Sequence, residues 1–315
     1  MSKIHEALKK AREEQPHKSP VVVQYGPQEH YVPPAPARVH ASPDVPPPQP
    51  ISVPERLGIS GQYLRFEDLL KQCAKPVWQP NPSAIVFSGS FGPGQGAEQF
   101  RTLRTRLYHV RDSAPMKKVL VTSAIAGEGK TFVATNLAQA FACEPDRKVL
   151  LIDADLRNAS LHLPLGAPVS PGLAEYLMDE ASEAEIIQHG QEGNLCFIPA
   201  GKGGSSNASE LLSSGRLQKL LDRVEPLFDW VIIDSAPCLP VTDASILAGF
   251  VDGILLVVRA KSTPSDTAQR ARVELRKRNV IGVVLNGVEE SGSYGTHYSY
   301  GYGAGSSLAN SAKKF

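Results

Sequence analysis

Three observations predict an α/β fold built on a mostly parallel, doubly wound sheet. Apolar, β-branched runs of strand length alternate with helical stretches from residue 118 onward. The first run leads through a glycine-rich loop straight into an apolar helix. Two later runs end in aspartate, at the carboxyl ends of strands, where ligands of such sheets sit.

Taken in order, residues 1–15 read as an amphipathic helix. Ile4, Ala7, Leu8 and Ala11 repeat at i, i+3, i+4, i+7 behind Ser2 as an N-cap. So short a helix is marginal alone; it is either a docking element or a frayed terminus. Residues 16–59 read as a disordered linker. Twelve of the 26 prolines fall between Pro16 and Pro54, and the few large apolar residues there cannot offset the entropy of ordering. The folded domain is expected over 60–290, opening with a helical lead-in over 60–115. Strands are expected at Lys118–Ser123, Val149–Asp153, Leu195–Pro199, Trp230–Asp234, Gly253–Arg259 and Val280–Leu285. Helices are expected at Thr131–Cys143, Glu210–Glu225 and Ser265–Lys277. Over 291–315 the chain turns to glycine, serine and tyrosine and reads as a flexible tail.

Bulk properties exclude several classes. The 315 residues suffice for one large α/β domain with extensions, or for two small domains. A net charge of +1 supplies no global field for nucleic acid, so no nucleic-acid partner is expected. Cys73, Cys143, Cys196 and Cys238 show no metal or CxxC spacing and read as reduced thiols of a cytosolic protein. Residues 1–15 are charged throughout, unlike a signal peptide. No apolar run approaches the ~20 residues of a membrane span. A cytoplasmic protein is therefore expected, brought to the inner face of the plasma membrane only by another chain.

The strand ending at Ser123 runs into Ala124-Ile-Ala-Gly127-Glu-Gly129-Lys130-Thr131. This is the phosphate-binding pattern of the P-loop NTPases, with Ala124 where the first glycine usually stands. Gly127 and Gly129 let backbone N–H groups approach phosphate oxygens. Lys130 reaches the β- and γ-phosphates, and the Thr131 hydroxyl ligates Mg²⁺. The start of the following helix adds its positive dipole end. Ala126, Gly127, Glu128, Gly129, Lys130, Thr131 and Phe132 are the candidate ATP contacts. Asn286 joins them; it follows a strand and suits either an adenine edge or a turn before Gly287.

Val149-Leu-Leu-Ile152-Asp153-Ala-Asp155-Leu-Arg157 brings two carboxylates to one strand end, spaced by two so that both can face one side. Trp230-Val-Ile-Ile233-Asp234 brings a third. Thr131, Asp153 and Asp234 are the candidate magnesium ligands. Three acids exceed what nucleotide binding needs. One can hold the metal while Asp153 or Asp155 accepts a nucleophile's proton, which makes Lys130, Asp153 and Asp155 the candidate catalytic set. Water as nucleophile would make an ATPase. The tail favours another nucleophile: Tyr294, Tyr298, Tyr300 and Tyr302 are four of only nine tyrosines, in a segment with no core to pack.

With those residues in place, the sequence resembles the bacterial-type protein tyrosine kinases of capsule and exopolysaccharide biosynthesis. The resemblance covers roughly residues 85–302. It rests on Ser123–Thr131, Leu151–Arg157, Val231–Pro237 and the tyrosine cluster. Asn207-Ala-Ser-Glu-Leu-Leu212, Pro240-Val-Thr-Asp243-Ala and Leu285-Asn286-Gly-Val share the family look. Glu98-Gln-Phe-Arg101-Thr-Leu-Arg104 matches a helix that the family uses in ring-like self-association. Ser2–Lys10 resembles the start of the branch without its own membrane spans. The resemblance implies autophosphorylation in trans within a ring-like homo-oligomer. It also implies an activator on a separate chain, a membrane-embedded polysaccharide co-polymerase. From spacing alone, Glu98 and Arg101 would merely pair along their helix, which leaves Arg104 unexplained. Two rivals stay open. A partition- or division-type ATPase usually carries a second lysine early in the loop, where Ile125 stands here. A non-catalytic nucleotide-binding regulator of export would not need the intact acids.

Overall fold

The computed structural model describes residues 65–87, 95–190 and 194–288. The expected helix of 1–15, the linker of 16–59 and the tail with Tyr294, Tyr298, Tyr300 and Tyr302 lie outside those residues.

Helices α1 (Phe66–Gln72) and α2 (Gln95–Ser113) precede the sheet. Then come β1 (Lys118–Ser123), α3 (Lys130–Ala142), β2 (Val149–Asp153), α4 (His162–Leu165), α5 (Leu173–Leu177), α6 (Glu183–Ile186), β3 (Gln188–His189) and β4 (Leu195–Ile198). The second half holds α7 (Ala208–Leu212), α8 (Gly215–Val224), β5 (Trp230–Asp234), α9 (Asp243–Leu247), β6 (Gly253–Arg259), α10 (Ser265–Glu274) and β7 (Val280–Asn286). The strands lie in the order β3-β4-β2-β5-β1-β6-β7. All pairings are parallel except β3 with β4.

Alternation along the central strands explains the layers. Leu120, Leu150, Ile152, Val231 and Ile233 face one core, against α7, α8 and α9. Val121, Leu151 and Ile232 face the other, where Leu137 and Phe141 of α3 and Phe100 of α2 meet them. Both faces being covered, the central strands are apolar at nearly every position, as parallel sheets require. Helix α3 is buried on most sides, from Val133 through Ala138, and its alanines let it lie close to the sheet.

One expectation is corrected. The single helix at Glu210–Glu225 is instead α7 and α8, broken at Ser213-Ser214, where Ser214 is extended (φ −65°, ψ 144°). Serines there favour caps over helix interiors. Leu217, Leu220, Leu221 and Val224 of α8 then form one buried i, i+3, i+4, i+7 stripe. Strand β3 was not expected, its two residues being too short to show any period. It is set by Gln188 and His189 pairing with Phe197 and Cys196.

Candidate active site

The carboxyl ends of β1, β2 and β5 lie side by side, and register puts Asp153 directly opposite Asp234. The loop after β1 turns through Gly129 at φ +92°, a left-handed conformation that glycine adopts without strain. Space matters there too: a β-carbon would fall 2.0 Å from Asn286 Nδ2. The loop is braced from outside. Asn286 Nδ2 donates to the Glu128 carbonyl at 2.9 Å, and Arg259 Nη1 donates to the Gly127 carbonyl at 3.1 Å. The buried Glu128 carboxylate accepts the Ile125 N–H at 2.8 Å and the Thr263 hydroxyl. Glu128 thus shapes the loop through its side chain. Arg259 and Thr263 were not expected at the loop; the one available signal was their place at and just past the carboxyl end of β6.

Lys130 opens α3 and pairs with Asp155 Oδ2 at 2.9 Å. The Thr131 hydroxyl donates to Asp234 Oδ2 at 2.6 Å. By spacing, Asp153 and Asp155 can face the same side of the strand end. β2 ends at Asp153, and Asp155 stands just beyond it. The two acids differ sharply. Asp153 accepts three backbone N–H groups: Asp155 at 3.2 Å on Oδ1, then Ser160 at 3.2 Å and Leu161 at 3.0 Å on Oδ2. Asp155 accepts Asn158 N–H on Oδ1 at 3.0 Å, which leaves Oδ2 to the ammonium.

Charge follows burial. Desolvation, and then Asp234, pushes the Asp153 carboxyl well above the ordinary carboxylate range, against the pull of the Leu161 N–H. Asp234 is raised by burial too, although Lys130 and the Thr131 hydroxyl hold it back. Burial works against the charge on Lys130, but Asp234, Asp155 and Asp153 outweigh it and raise the ammonium's pKa. The site is thus one cation facing three acids, an arrangement that additional positive charge would relieve.

A hard divalent cation fits that need. Asp234 Oδ1 is buried without a hydrogen-bond partner among the described residues, beside the Thr131 hydroxyl. No group of three or more His, Cys, Asp or Glu ligands converges among those residues. Magnesium at a phosphate site needs only one or two carboxylates, since phosphate and water fill the rest. A groove of about 610 Å³ opens next to the loop between α2, Phe132 and residues 286–288 at and just past the end of β7.

A family model described as an AAA domain matches residues 116–266. The chain is 36% identical over 208 residues to the tyrosine-protein kinase YwqD of Bacillus subtilis, covering 65% of this chain and 85% of that one. It is 33% identical to the tyrosine-protein kinase CpsD of Streptococcus agalactiae, covering 65% and 89%. The chain belongs to the bacterial tyrosine-protein kinases. It spans only 30% of the longer Escherichia coli kinase etk, at 36% identity and covering 69% of this chain. The solved kinase domain of Escherichia coli ETK superposes with a TM-score of 0.62 at 34% identity, covering 70% of this chain and 84% of that one.

Within this kinase, the three residues expected at a ring contact divide. Glu98 and Arg101 pair with each other along α2 at 3.1 Å and face solvent. Arg104 turns inward: Nη1 donates to the Ala140 carbonyl at 2.6 Å, and Nε pairs with Glu144 at 3.1 Å. Arg104, unexplained by spacing, therefore fastens α2 to the end of α3. No described helix is long and apolar enough to cross a membrane.

Proposed function

We propose that the protein is an ATP- and magnesium-dependent tyrosine autokinase that phosphorylates Tyr294, Tyr298, Tyr300 and Tyr302 of a second copy in a ring-like homo-oligomer. It serves capsule or exopolysaccharide synthesis from the cytoplasmic face of the membrane. Its activator is a membrane-embedded polysaccharide co-polymerase on a separate chain. The observation that carries the chemistry is the Lys130–Asp155 pair. Phosphate oxygens compete with Asp155 for the same ammonium, so ATP binding would free Asp155 Oδ2.

That freed oxygen is the proton acceptor in this reading. Asp153 is the lesser candidate because its oxygens already hold the turn through three N–H groups. The tyrosine oxygen bonds to the γ-phosphorus, the bond from γ-phosphorus to the β,γ-bridging oxygen breaks, ADP departs, and the phenolic proton passes to Asp155. A phenol with a pKa near ~10 needs no strong base when the transition state is loose and the proton leaves late. Thr131 and Asp234 would hold magnesium, with Asp153 behind them, and magnesium there would neutralise phosphate charge. Asn286, Phe132 and the adjoining groove receive the adenine.

Phosphotyrosine mapping by mass spectrometry, after incubation with ATP and Mg²⁺ and the activator's cytoplasmic segment, tests this. Phosphate on Tyr294–Tyr302 that vanishes in Lys130→Ala is expected. Steady ATP hydrolysis with an unmodified tail would overturn the kinase chemistry in favour of a partition-type ATPase.

A further inference from the structure

Three motifs noted in the sequence take no direct part in the nucleotide site: the Arg157 end of the β2 segment, Asn207–Leu212 and Pro240–Ala244. They converge on one cluster. Asp243, fully buried at the start of α9, accepts Arg157 Nε at 2.7 Å and Nη2 at 3.1 Å, a two-pronged ion pair. Ser209 of α7 donates to the same carboxylate at 2.7 Å and accepts Arg157 Nη2 at 2.9 Å. Arg157 Nη1 reaches the Ser205 carbonyl at 3.4 Å. The guanidinium is thus committed on every arm to α7, α9 and the loop before α7.

We infer that Arg157, Ser209 and Asp243 form a bracket that aims Asp155 at the reacting tyrosine. The link is short. Arg157 lies two residues past Asp155, and the next N–H along the chain, that of Asn158, binds Asp155 Oδ1. Anchoring Arg157 therefore fixes the turn that holds one oxygen of Asp155 and so directs the other. Forked, charge-assisted bonds of this kind add geometric definition as well as energy. Among the described residues, none of the three bracket side chains hydrogen-bonds to Lys130, Thr131 or Asp234, so the phosphate grip stands apart from the bracket. Arg157, Ser209 and Asp243 are positioning residues. The inference rests on Asp155 being the proton acceptor.

The test uses the full chain carrying Asp243→Asn, Arg157→Lys or Asp155→Asn. ATP affinity, kcat and KM for ATP are measured with a tyrosine peptide and with a fluorotyrosine peptide, whose hydroxyl is more acidic. Asp243→Asn and Arg157→Lys are expected to lower kcat roughly 10- to 100-fold, the scale of a misplaced reacting group. ATP affinity and KM should stay within about threefold, well below that loss. The fluorotyrosine peptide should recover much of the lost rate, because an acidic phenol depends less on an aligned acceptor; a merely structural defect would not be recovered this way. Arg157→Lys retains the charge and keeps the question answerable where Asp243→Asn does not fold. Folded bracket variants with unchanged kcat, or with ATP affinity falling in step with kcat, overturn the bracket while an inactive Asp155→Asn leaves the acceptor standing. An Asp155→Asn enzyme of full activity overturns both.

Discussion

The centre of the sheet and its β6–β7 margin differ in almost every respect. At the centre, β1, β2 and β5 are buried throughout apart from the first residue of β1, and their ends bring Lys130, Asp153, Asp155 and Asp234 together. At the margin, β7 leaves Val283 63% and Leu285 59% exposed, yet it ends in Asn286, which touches the phosphate loop. The centre holds charge in a buried place. The margin adjusts the loop from outside and stays open to other surfaces.

The largest effect should come from the centre. Lys130→Ala removes the lysine that faces three acids and should cut phosphotransfer roughly 10²–10³-fold or more, read as phosphotyrosine formed per minute. Asp234→Asn separates activity from stability in the same region. Activity should be lost, while thermal denaturation in chelator at pH 8 should show a gain of order 1–3 kcal/mol. The sign follows from the raised carboxyls of Asp153 and Asp234. Between the unfolded and folded pKa values the folded chain holds more protons, so their contribution to stability falls as pH rises through that window. The wild type should therefore lose stability from about pH 4 towards pH 7 relative to Asp234→Asn. Parallel melting curves across that range would contradict the buried-charge account.

Gly129→Ala probes the seam between the two regions. Its β-carbon would strike Asn286, and φ +92° is strained for alanine; such strain costs of order 1–3 kcal/mol. ATP affinity should fall by about 5- to 100-fold on that basis, measured by nucleotide titration. Asn286→Ala removes one bond to the loop, worth about 1 kcal/mol, and should weaken ATP binding only a few-fold. Smallest of all, Val283→Lys should leave stability within about 0.5 kcal/mol. A large drop in its melting temperature would mean that β7 is covered in solution.

The same contrast governs what the sequence discloses. Buried parallel strands announce themselves as unbroken apolar runs, so β1, β2, β5 and β6 were legible to the residue. The glycine–lysine–threonine loop was legible because its chemistry admits few substitutes. What escaped depends on contacts distant in the chain. Nothing local marks Thr263 as a donor to Glu128, 135 residues away, or Arg104 as a partner of Ala140. Asp153 and Asp155 look alike by spacing. Only the turn beyond β2, which wraps Asp153 in backbone N–H groups, makes them different.

The fastening of α2 to α3 has a mechanical meaning. Helix α3 starts at Lys130 and runs 13 residues, about 20 Å. Its far end is pinned to α2 by Arg104, and Tyr108 bonds Glu144 just beyond at 2.5 Å. Helix α3 is therefore a strut with the phosphate grip at one end and a riveted joint at the other. A load applied to α2 along its exposed Glu98–Arg101 side would meet that joint at the end of the helix that begins at the phosphate-binding loop.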